Sequence, residues 1–307
     1  MKPKLLLLLA ALVPFPALAY EQPSVNLGFT SFVDGGPPAG PGWYFQQYLQ
    51  WWSADKFTDA GGGHAFGPFR PELDAWISLT QVIYQSDQDL LGGKWGVNVI
   101  LPLVSLDLKA DGLPLSTNSG VGDLLVGPFI QWGPVMGDQG PRYMHRIELQ
   151  MIFPTGTYSS AHAINAGSNF FSFNPYWSGT VFLGPRWTAS TRLHLLYNAR
   201  NDSPPAVTGL DSFRAGMAVH ANFAVSYALI EQRLRVGLNG FFFEQIQNTK
   251  VDGVKASGLK ERVWAAGPGM LYSFSQDNHL FLNAYIETAA ENRPRGTRLS
   301  ARWVSHF

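Results

Sequence analysis

The clearest pattern in this chain is an alternation of apolar and polar residues with a period of two. Near the C-terminus, Leu299, Ala301 and Trp303 are separated by single polar residues, and the alternation recurs upstream. Successive side chains of a β-strand point to opposite faces, so this period indicates strands with one apolar and one polar face. The pattern predicts twelve strands, over residues 42–53, 71–84, 93–106, 120–133, 142–154, 174–183, 185–198, 212–228, 233–245, 260–274, 278–288 and 296–307.

Strand length and loop length together point to a membrane barrel. Most predicted strands are about 10–14 residues long, whereas strands of soluble proteins average about 5–6 and tilted membrane strands need about 9–11. The odd-numbered connections, such as 54–70 and 155–173, are mostly longer than the even-numbered ones. Long loops on one side and short turns on the other are typical of outer-membrane barrels. We therefore predict an all-β fold, a single closed antiparallel transmembrane β-barrel over residues 42–307, with long extracellular loops and short periplasmic turns.

The composition agrees with lipid on one side of every strand. Only 14% of the residues are charged and 46% are hydrophobic, whereas typical domains have about 25% charged residues. A secreted β-sandwich is the alternative, but its dry core would bury an arginine-rich face that needs partners. Lipid around the apolar face and a lumen inside the polar face accommodate both sets of residues.

Charge and cysteine content exclude several classes of function. The net charge is zero, whereas a nucleic-acid-binding protein needs a basic excess, so we predict no nucleic-acid partner. The chain has no cysteine, which excludes a disulfide framework, a thiolate zinc site and a cysteine nucleophile. The histidines show no metal-binding spacing, and we predict no metal and no cofactor.

The first residues have the pattern of an export signal. Lys2 and Lys4 precede an apolar run, and an A-x-A site ends at Ala19, so we predict a signal peptide over residues 1–19 that is cleaved after Ala19. A retained anchor helix is the alternative, but prolines interrupt a run that is too short to span a bilayer. Export and the barrel pattern together predict the outer membrane of a Gram-negative bacterium. Residues 20–41 then form either a periplasmic segment or a plug within the lumen.

Several short motifs resemble those of one protein family. They are GPGWYF at 40–45, SADKF at 53–57, GVGDL at 120–124 with GP at 127–128, FPTGTY at 153–158 and the pair Tyr197-Asn198. In order and position they resemble the SphA-like outer-membrane proteins, the meta-pathway of phenol degradation family, over most of the mature chain. The resemblance implies an outer-membrane channel for passive uptake of a small aromatic or amphipathic compound, linked to a degradation pathway, and not an enzyme.

The face assigned to the lumen mixes aromatic residues with charged ones. The candidate lumen-lining residues are Trp76, Phe129, Arg146, Glu148, Arg192, His194, Arg233, Arg235, Phe241, Phe243, Arg298 and Arg302. Stacking and charge-assisted hydrogen bonds from such a wall would favour a planar aromatic or amphipathic acid. In the alternative interpretation, the opposite charges pair with each other and only hold the barrel together.

The predicted partners are outer-membrane lipid, a small-molecule solute and the barrel-assembly machinery. Trp303 and Phe307 in the last strand are the candidate C-terminal signal for that machinery. Two other functions stay open, a purely structural or adhesive barrel and a barrel enzyme acting on lipids. The enzyme would use His162 with Ser159 or Ser160 in the third long loop. We predict no catalytic residue, because serine and histidine often meet by chance in loops.

Overall fold

A computed structural model describes residues 22–36, 39–138 and 140–307. The predicted signal peptide, residues 1–19, lies outside the described residues. Within the described part of the chain, no helix is long and apolar enough to cross a membrane.

Twelve long strands, each antiparallel to its neighbours, close into one barrel. They are β1 (Gly42–Phe57), β2 (Glu72–Leu90), β3 (Gly93–Lys109), β4 (Leu124–Gly137), β5 (Gly140–Glu148), β6 (Tyr176–Phe182), β7 (Trp187–Asn198), β8 (Ala218–Ile230), β9 (Leu234–Gln245), β10 (Arg262–Ser273), β11 (Asn278–Glu291) and β12 (Pro294–His306). The strands pair in chain order, and β12 closes the barrel against β1. Backbone hydrogen bonds of 3.1 and 3.0 Å between Trp43 and Phe307 extend that seam to the last residue. The predicted closed all-β barrel is confirmed.

Loop lengths distinguish the two ends of the barrel. Five of the odd-numbered connections are long. Short strands form within four of them: Thr117–Asn118, Gly120–Val121, Met151–Phe153, Ile164–Asn165, Ser172–Phe173, Phe213–Arg214, Lys250–Val251 and Val254–Lys255, with one 3₁₀ turn at Ala206–Thr208. The eleventh connection is shorter than predicted, because β11 continues to Glu291 and β12 restarts at Pro294. We take the end with the long loops as extracellular, which places Gly42 and Phe307 at the periplasmic end.

The outer surface carries exposed apolar side chains and a belt of aromatic rings. At the periplasmic end, Tyr84 contacts Trp43 and Trp95 with ring centroids 4.9 and 5.7 Å apart. Phe274 and Trp303 form a further pair at 5.4 Å. Amphipathic aromatic side chains favour the depth of the lipid headgroups, so this belt marks a membrane interface.

Trp76 corrects one prediction of facing. Its side chain is 51% exposed and lies on the outer surface, where its ring is 6.4 Å from that of Trp51. Leu73 and Ala75, which the alternation places on the opposite face of β2 from Trp76, are buried inside. They pack there against Ile164 of the third long loop, which folds into the mouth of the barrel. The lumen is therefore apolar at this level. An apolar residue of this part of β2 can face either the lipid or the lumen, so its hydrophobicity does not predict its orientation.

Residues 22–36 lie inside the barrel and run along its length. At the extracellular end, Gln22 accepts a hydrogen bond of 2.9 Å from Asn198. Halfway along, the Gly28 amide donates to Asn222 at 2.8 Å. Near the periplasmic end, the Gly35 amide donates to a hydroxyl of β6 at 2.8 Å. We call residues 22–36 the lumenal segment.

Candidate functional site

The lumen gathers most of the residues predicted to line it. The buried ones are Phe129, Arg146, Glu148, His194, Phe241, Phe243, Arg298 and Arg302. Arg192 and Arg235 are half-buried, and Arg233 is exposed at the periplasmic rim, where both Arg233 and Arg235 border a cavity. Only Trp76 points away. The charged members fall into separate clusters, which differ in how completely they are paired.

The first cluster joins the strands on either side of the barrel seam. Arg298 donates to Glu287 at 2.8 Å and to Gln50 at 2.9 Å. The same carboxylate accepts hydrogen bonds from Trp52 Nε1 at 3.1 Å and from the Gly296 amide at 2.8 Å. Every charged group here is buried and hydrogen-bonded, so the cluster holds β1, β11 and β12 together. Arg298 thus has a structural role here, in agreement with the alternative interpretation that opposite charges in the lumen pair and hold the barrel together.

The second cluster surrounds Glu148. Its carboxylate accepts hydrogen bonds from Asn98 at 2.9 Å and from the Tyr176 hydroxyl at 2.5 Å, and Arg146 lies 3.9 Å away. The Arg146 guanidinium lies over the Phe129 ring, 3.8 Å from its centroid. β4 leaves room for this carboxylate with Gly127, where a Cβ would lie 2.3 Å from a Glu148 oxygen.

The third cluster ties the lumenal segment to the wall. Arg192 holds Asp34 with two hydrogen bonds, from Nε at 2.8 Å and from Nη2 at 2.7 Å. Its guanidinium also lies 4.3 Å from the Tyr176 ring centroid. Bidentate pairs of this kind are among the strongest polar contacts in proteins. Since Asp34 belongs to residues 22–36, this contact anchors the segment near the periplasmic end.

Between the clusters, stacked rings fill the lumen. His194 and His220 stack with centroids 4.1 Å apart, and His220 is 3.0 Å from an Asn174 oxygen. Phe241 and Phe243 are fully buried in an apolar cluster of the interior that includes Leu27 of the lumenal segment. Side chains of opposite walls therefore meet through the segment rather than across open space.

Two of the cavities that the described residues line lie in the lumen, one toward each end of the barrel. The periplasmic one has a volume of about 210 Å³ and the extracellular one about 80 Å³. The segment contributes Val33 and Asp34 to the first and Gln22 to the second. No described residue lines both cavities.

Phe29 of the lumenal segment stands between these cavities. It packs in one cluster with Tyr48, which lines the periplasmic cavity, and with Ile77 and Val104, which line the extracellular one. The Phe29 and Tyr48 rings meet edge to face at 5.9 Å. Phe29 therefore lies in the layer of packed side chains between the two spaces.

Sequence reasoning missed the residues that the lumenal segment contributes. Asp34 and Phe29 precede the first strand, where no alternation predicts which side chains face the lumen. Tyr48 and Gln81 also border the periplasmic cavity. The period of two in β1 and β2 could have identified both, had the facing of β2 been assigned correctly.

The loop serines and histidine predicted as an alternative do not form a nucleophile–base pair with each other. His162 Nδ1 lies 3.1 Å from the Ser116 hydroxyl, and its amide donates to the Ser159 carbonyl oxygen. Among residues 22–36, 39–138 and 140–307, no three His, Asp or Glu side chains are grouped to hold a metal ion.

Comparison with known proteins places the fold and the family. One solved structure, the COG4313 outer membrane channel from Pseudomonas putida F1, is similar with a TM-score of 0.77 and 17% sequence identity, over 92% of this chain and 100% of that chain. The β domain of the Bordetella autotransporter BrkA is more distant, with a TM-score of 0.47 and 13% identity over 87% of this chain and all of that one. So is a TodX mutant described as a monoaromatic hydrocarbon channel, at 0.46 and 10%, over 88% of this chain and 91% of that one. These two likenesses are too distant to carry an argument.

The first likeness shows that the fold is that of an outer-membrane barrel. Among curated proteins, no match is found. A family model matches residues 54–303, which is most of the barrel and includes the motifs at 120–128 and 153–158. The chain therefore belongs to the family described as "Putative MetA-pathway of phenol degradation".

Proposed function

We propose that the protein is an outer-membrane channel for passive uptake of a small aromatic or amphipathic compound, and that the lumenal segment is its plug. The solute crosses the barrel along the line of the two cavities. The observation that carries this proposal is the position of Phe29, which lies on a chain segment rather than on the wall and packs among the residues between the cavities. Movement of one short segment would join them into a path.

The way the segment is held supports a plug that can move. Most of its specific contacts are single hydrogen bonds to wall side chains, and its one ion pair lies at Asp34. A strand of the wall could not be displaced, because it is hydrogen-bonded along its length on both sides. The segment is outside that ladder, so its displacement leaves the barrel closed to lipid.

The chemistry of the lumen supports an aromatic or amphipathic solute. Phe281, Tyr48 and Tyr176 line the periplasmic cavity beside arginines and glutamines. Ring faces favour flat apolar groups, and the polar groups favour a solute with a polar end. The family description refers to phenol degradation, and we extend it here to uptake of such a compound for a degradation pathway.

Solute flux through the purified protein tests the proposal. The full chain is reconstituted in liposomes and in planar bilayers, and the entry of phenol-sized solutes is compared with that of sugars of larger cross-section. We expect entry of the small aromatic solutes, and faster entry after deletion of residues 22–36. Liposomes that are no more permeable than empty ones, with and without the deletion, would refute a channel. Faster flux without any effect of the deletion would refute the plug alone.

We also propose the route by which the protein reaches its membrane. The signal peptide is cleaved after Ala19, and the barrel-assembly machinery recognises the last strand through Trp303 and Phe307. Support comes from the exposure of Phe307 at the periplasmic end of the seam, where a periplasmic factor can reach it. Mass spectrometry of the mature protein tests the cleavage, and outer-membrane yield after Phe307→Ser tests the signal.

A further inference from the structure

The periplasmic cavity holds an excess of positive charge. Five arginines line it, Arg146, Arg192, Arg233, Arg235 and Arg302, and among the described residues of its lining the only acid is Asp34. Asp34 pairs with Arg192, and Arg146 has Glu148 behind it at 3.9 Å. Arg233, Arg235 and Arg302 have no carboxylate within 4.0 Å among the described residues. Three guanidinium groups around this one small space are therefore uncompensated.

The acids of the neighbouring turns already have other partners. Glu231 pairs with Arg186 at 3.2 Å on the outer side of its turn. Asp277 contacts His306 at 3.1 Å. Neither carboxylate lines the cavity. An anion that compensates the three arginines must therefore come from outside the described chain.

Arg302 is the member of the three that is least accessible to water. It is 6% exposed, and its Nε has no hydrogen-bond partner among the described residues. Its guanidinium lies 3.7 Å from the ring centroid of Phe281. The ring covers one face of the guanidinium, so an acceptor approaches in its plane, where the N–H groups fit a carboxylate with two parallel bonds. Burying such a cation without an anion is unfavourable.

The rest of the wall fits the ring of an aromatic acid. Ile83, Leu271, Phe281 and Val304 supply apolar surface on the same cavity, and Tyr48 and Tyr176 add ring faces. The volume of about 210 Å³ is below the roughly 300–1,000 Å³ of sites for drug-sized ligands. It therefore has room for a single ring with a short substituent.

From these observations, we infer that the periplasmic cavity is a binding site for small aromatic carboxylates. The carboxylate lies between Arg302 and the rim arginines Arg233 and Arg235, and the ring lies among Phe281, Leu271 and Val304. This inference deepens the proposed function and rests on it for the role of the site, which is to hold an acid at the periplasmic end of the path. The described lining of the extracellular cavity has no charged residue, so the periplasmic site is the charge-selective part of the channel.

Binding measurements on the full chain in detergent test the site independently of transport. Benzoate is titrated calorimetrically at low salt, with benzamide as the uncharged analogue and with acetate and inorganic phosphate as anions without a ring. We expect benzoate to bind at least tenfold more tightly than each of the other three, with affinity falling as salt is raised. Equal affinity for benzamide would overturn the charge requirement. Equal affinity for acetate or phosphate would overturn the aromatic part.

Substitutions at the rim keep the test clear of folding defects. Arg233→Gln with Arg235→Gln removes two cations that are not deeply buried, and we expect at least tenfold weaker benzoate binding. Arg186→Gln is the matched control, because it removes an exposed arginine of a periplasmic turn outside the cavity. Wild-type affinity in the double variant, or equal weakening in the control, would overturn the site.

Transport separates this inference from the proposed function. Benzoate binding without any solute flux through the reconstituted protein would support the binding site but refute the proposed channel function. Flux of neutral aromatic solutes without benzoate binding would support the proposed channel function but refute the binding site.

Discussion

Removing the charge of Asp34 should release the lumenal segment from the wall. Asp34 and Arg192 form a bidentate pair with side chains only 5% and 13% exposed, and breaking a buried pair costs about 3–5 kcal/mol. Asparagine keeps one acceptor oxygen, so we place the cost of Asp34→Asn at the lower end of this range, about 3 kcal/mol. Since about 1.4 kcal/mol is tenfold in an equilibrium constant, the displaced population should rise roughly 100-fold.

A single cysteine can measure that population, because the chain has none of its own. Ser31 lies in the segment, is 2% exposed, and its hydroxyl has no hydrogen-bond partner among the described residues. In Ser31→Cys, a maleimide reacts only when the segment leaves its site, so the labelling rate follows the displaced fraction. We expect Asp34→Asn to raise this rate by about two orders of magnitude.

The control for this experiment is Asp202→Asn, in an exposed pair with Arg200 whose side chains are 62% and 66% exposed. Exposed pairs contribute about 0–1 kcal/mol, so labelling should stay within a few-fold of the parent. Equal labelling rates in both variants, with the barrel still folded, would refute the argument that the ion pair holds the segment in place.

Three further substitutions test other parts of the lumen. Phe29→Ala should loosen the packing between the two cavities and speed the entry of small solutes into liposomes, whereas Phe274→Ala on the outer surface should not. Unchanged flux would remove Phe29 from the barrier. Arg298→Ala should lower the free energy of unfolding in lipid by about 3–5 kcal/mol, because it leaves the buried Glu287 carboxylate without its cation. A loss under 1 kcal/mol would contradict the structural role of Arg298. Gly127→Ala should destabilise the barrel by about 1–3 kcal/mol in urea unfolding, because the added methyl group clashes with the Glu148 carboxylate. Gly133→Ala, which has open space around its Cβ position, should leave the free energy of unfolding unchanged. Equal effects of the two substitutions would count against the steric explanation.

The barrel could be predicted because lipid imposes one rule on every strand. Residues such as Leu299 and Ile147 must be apolar on the outside, and closure leaves the arginines only the inside. Strand ends were harder to place: β2 was predicted to stop at residue 84 but continues to Leu90. Beyond the bilayer, neither face has to be apolar, so the alternation loses its contrast there.

The errors and omissions share one cause, the chain that fills the lumen. Trp76 was assigned inward because its strand has apolar residues on both faces, and loop packing decides which of them is buried. Likewise, no periodicity predicts that Asp34 meets Arg192, since the segment is not a strand and the contact spans 158 positions. The inward position of Arg302 follows from the alternation of β12. Its lack of a carboxylate partner follows only from the positions of all the surrounding acids.

The route of the lumenal segment has a consequence for the order in which the protein is built. Residues 22–36 leave the ribosome before the strands that contact them, and their partners lie on strands as far apart as β1, at Gln50, and β11, at Phe281. None of these partners surrounds the segment until β12 has paired with β1. Contacts between such distant parts of the chain form late, because the intervening loop must first be closed. The segment is therefore synthesised before the strands but reaches its native position after them, and until it does, each newly closed barrel has an unfilled lumen.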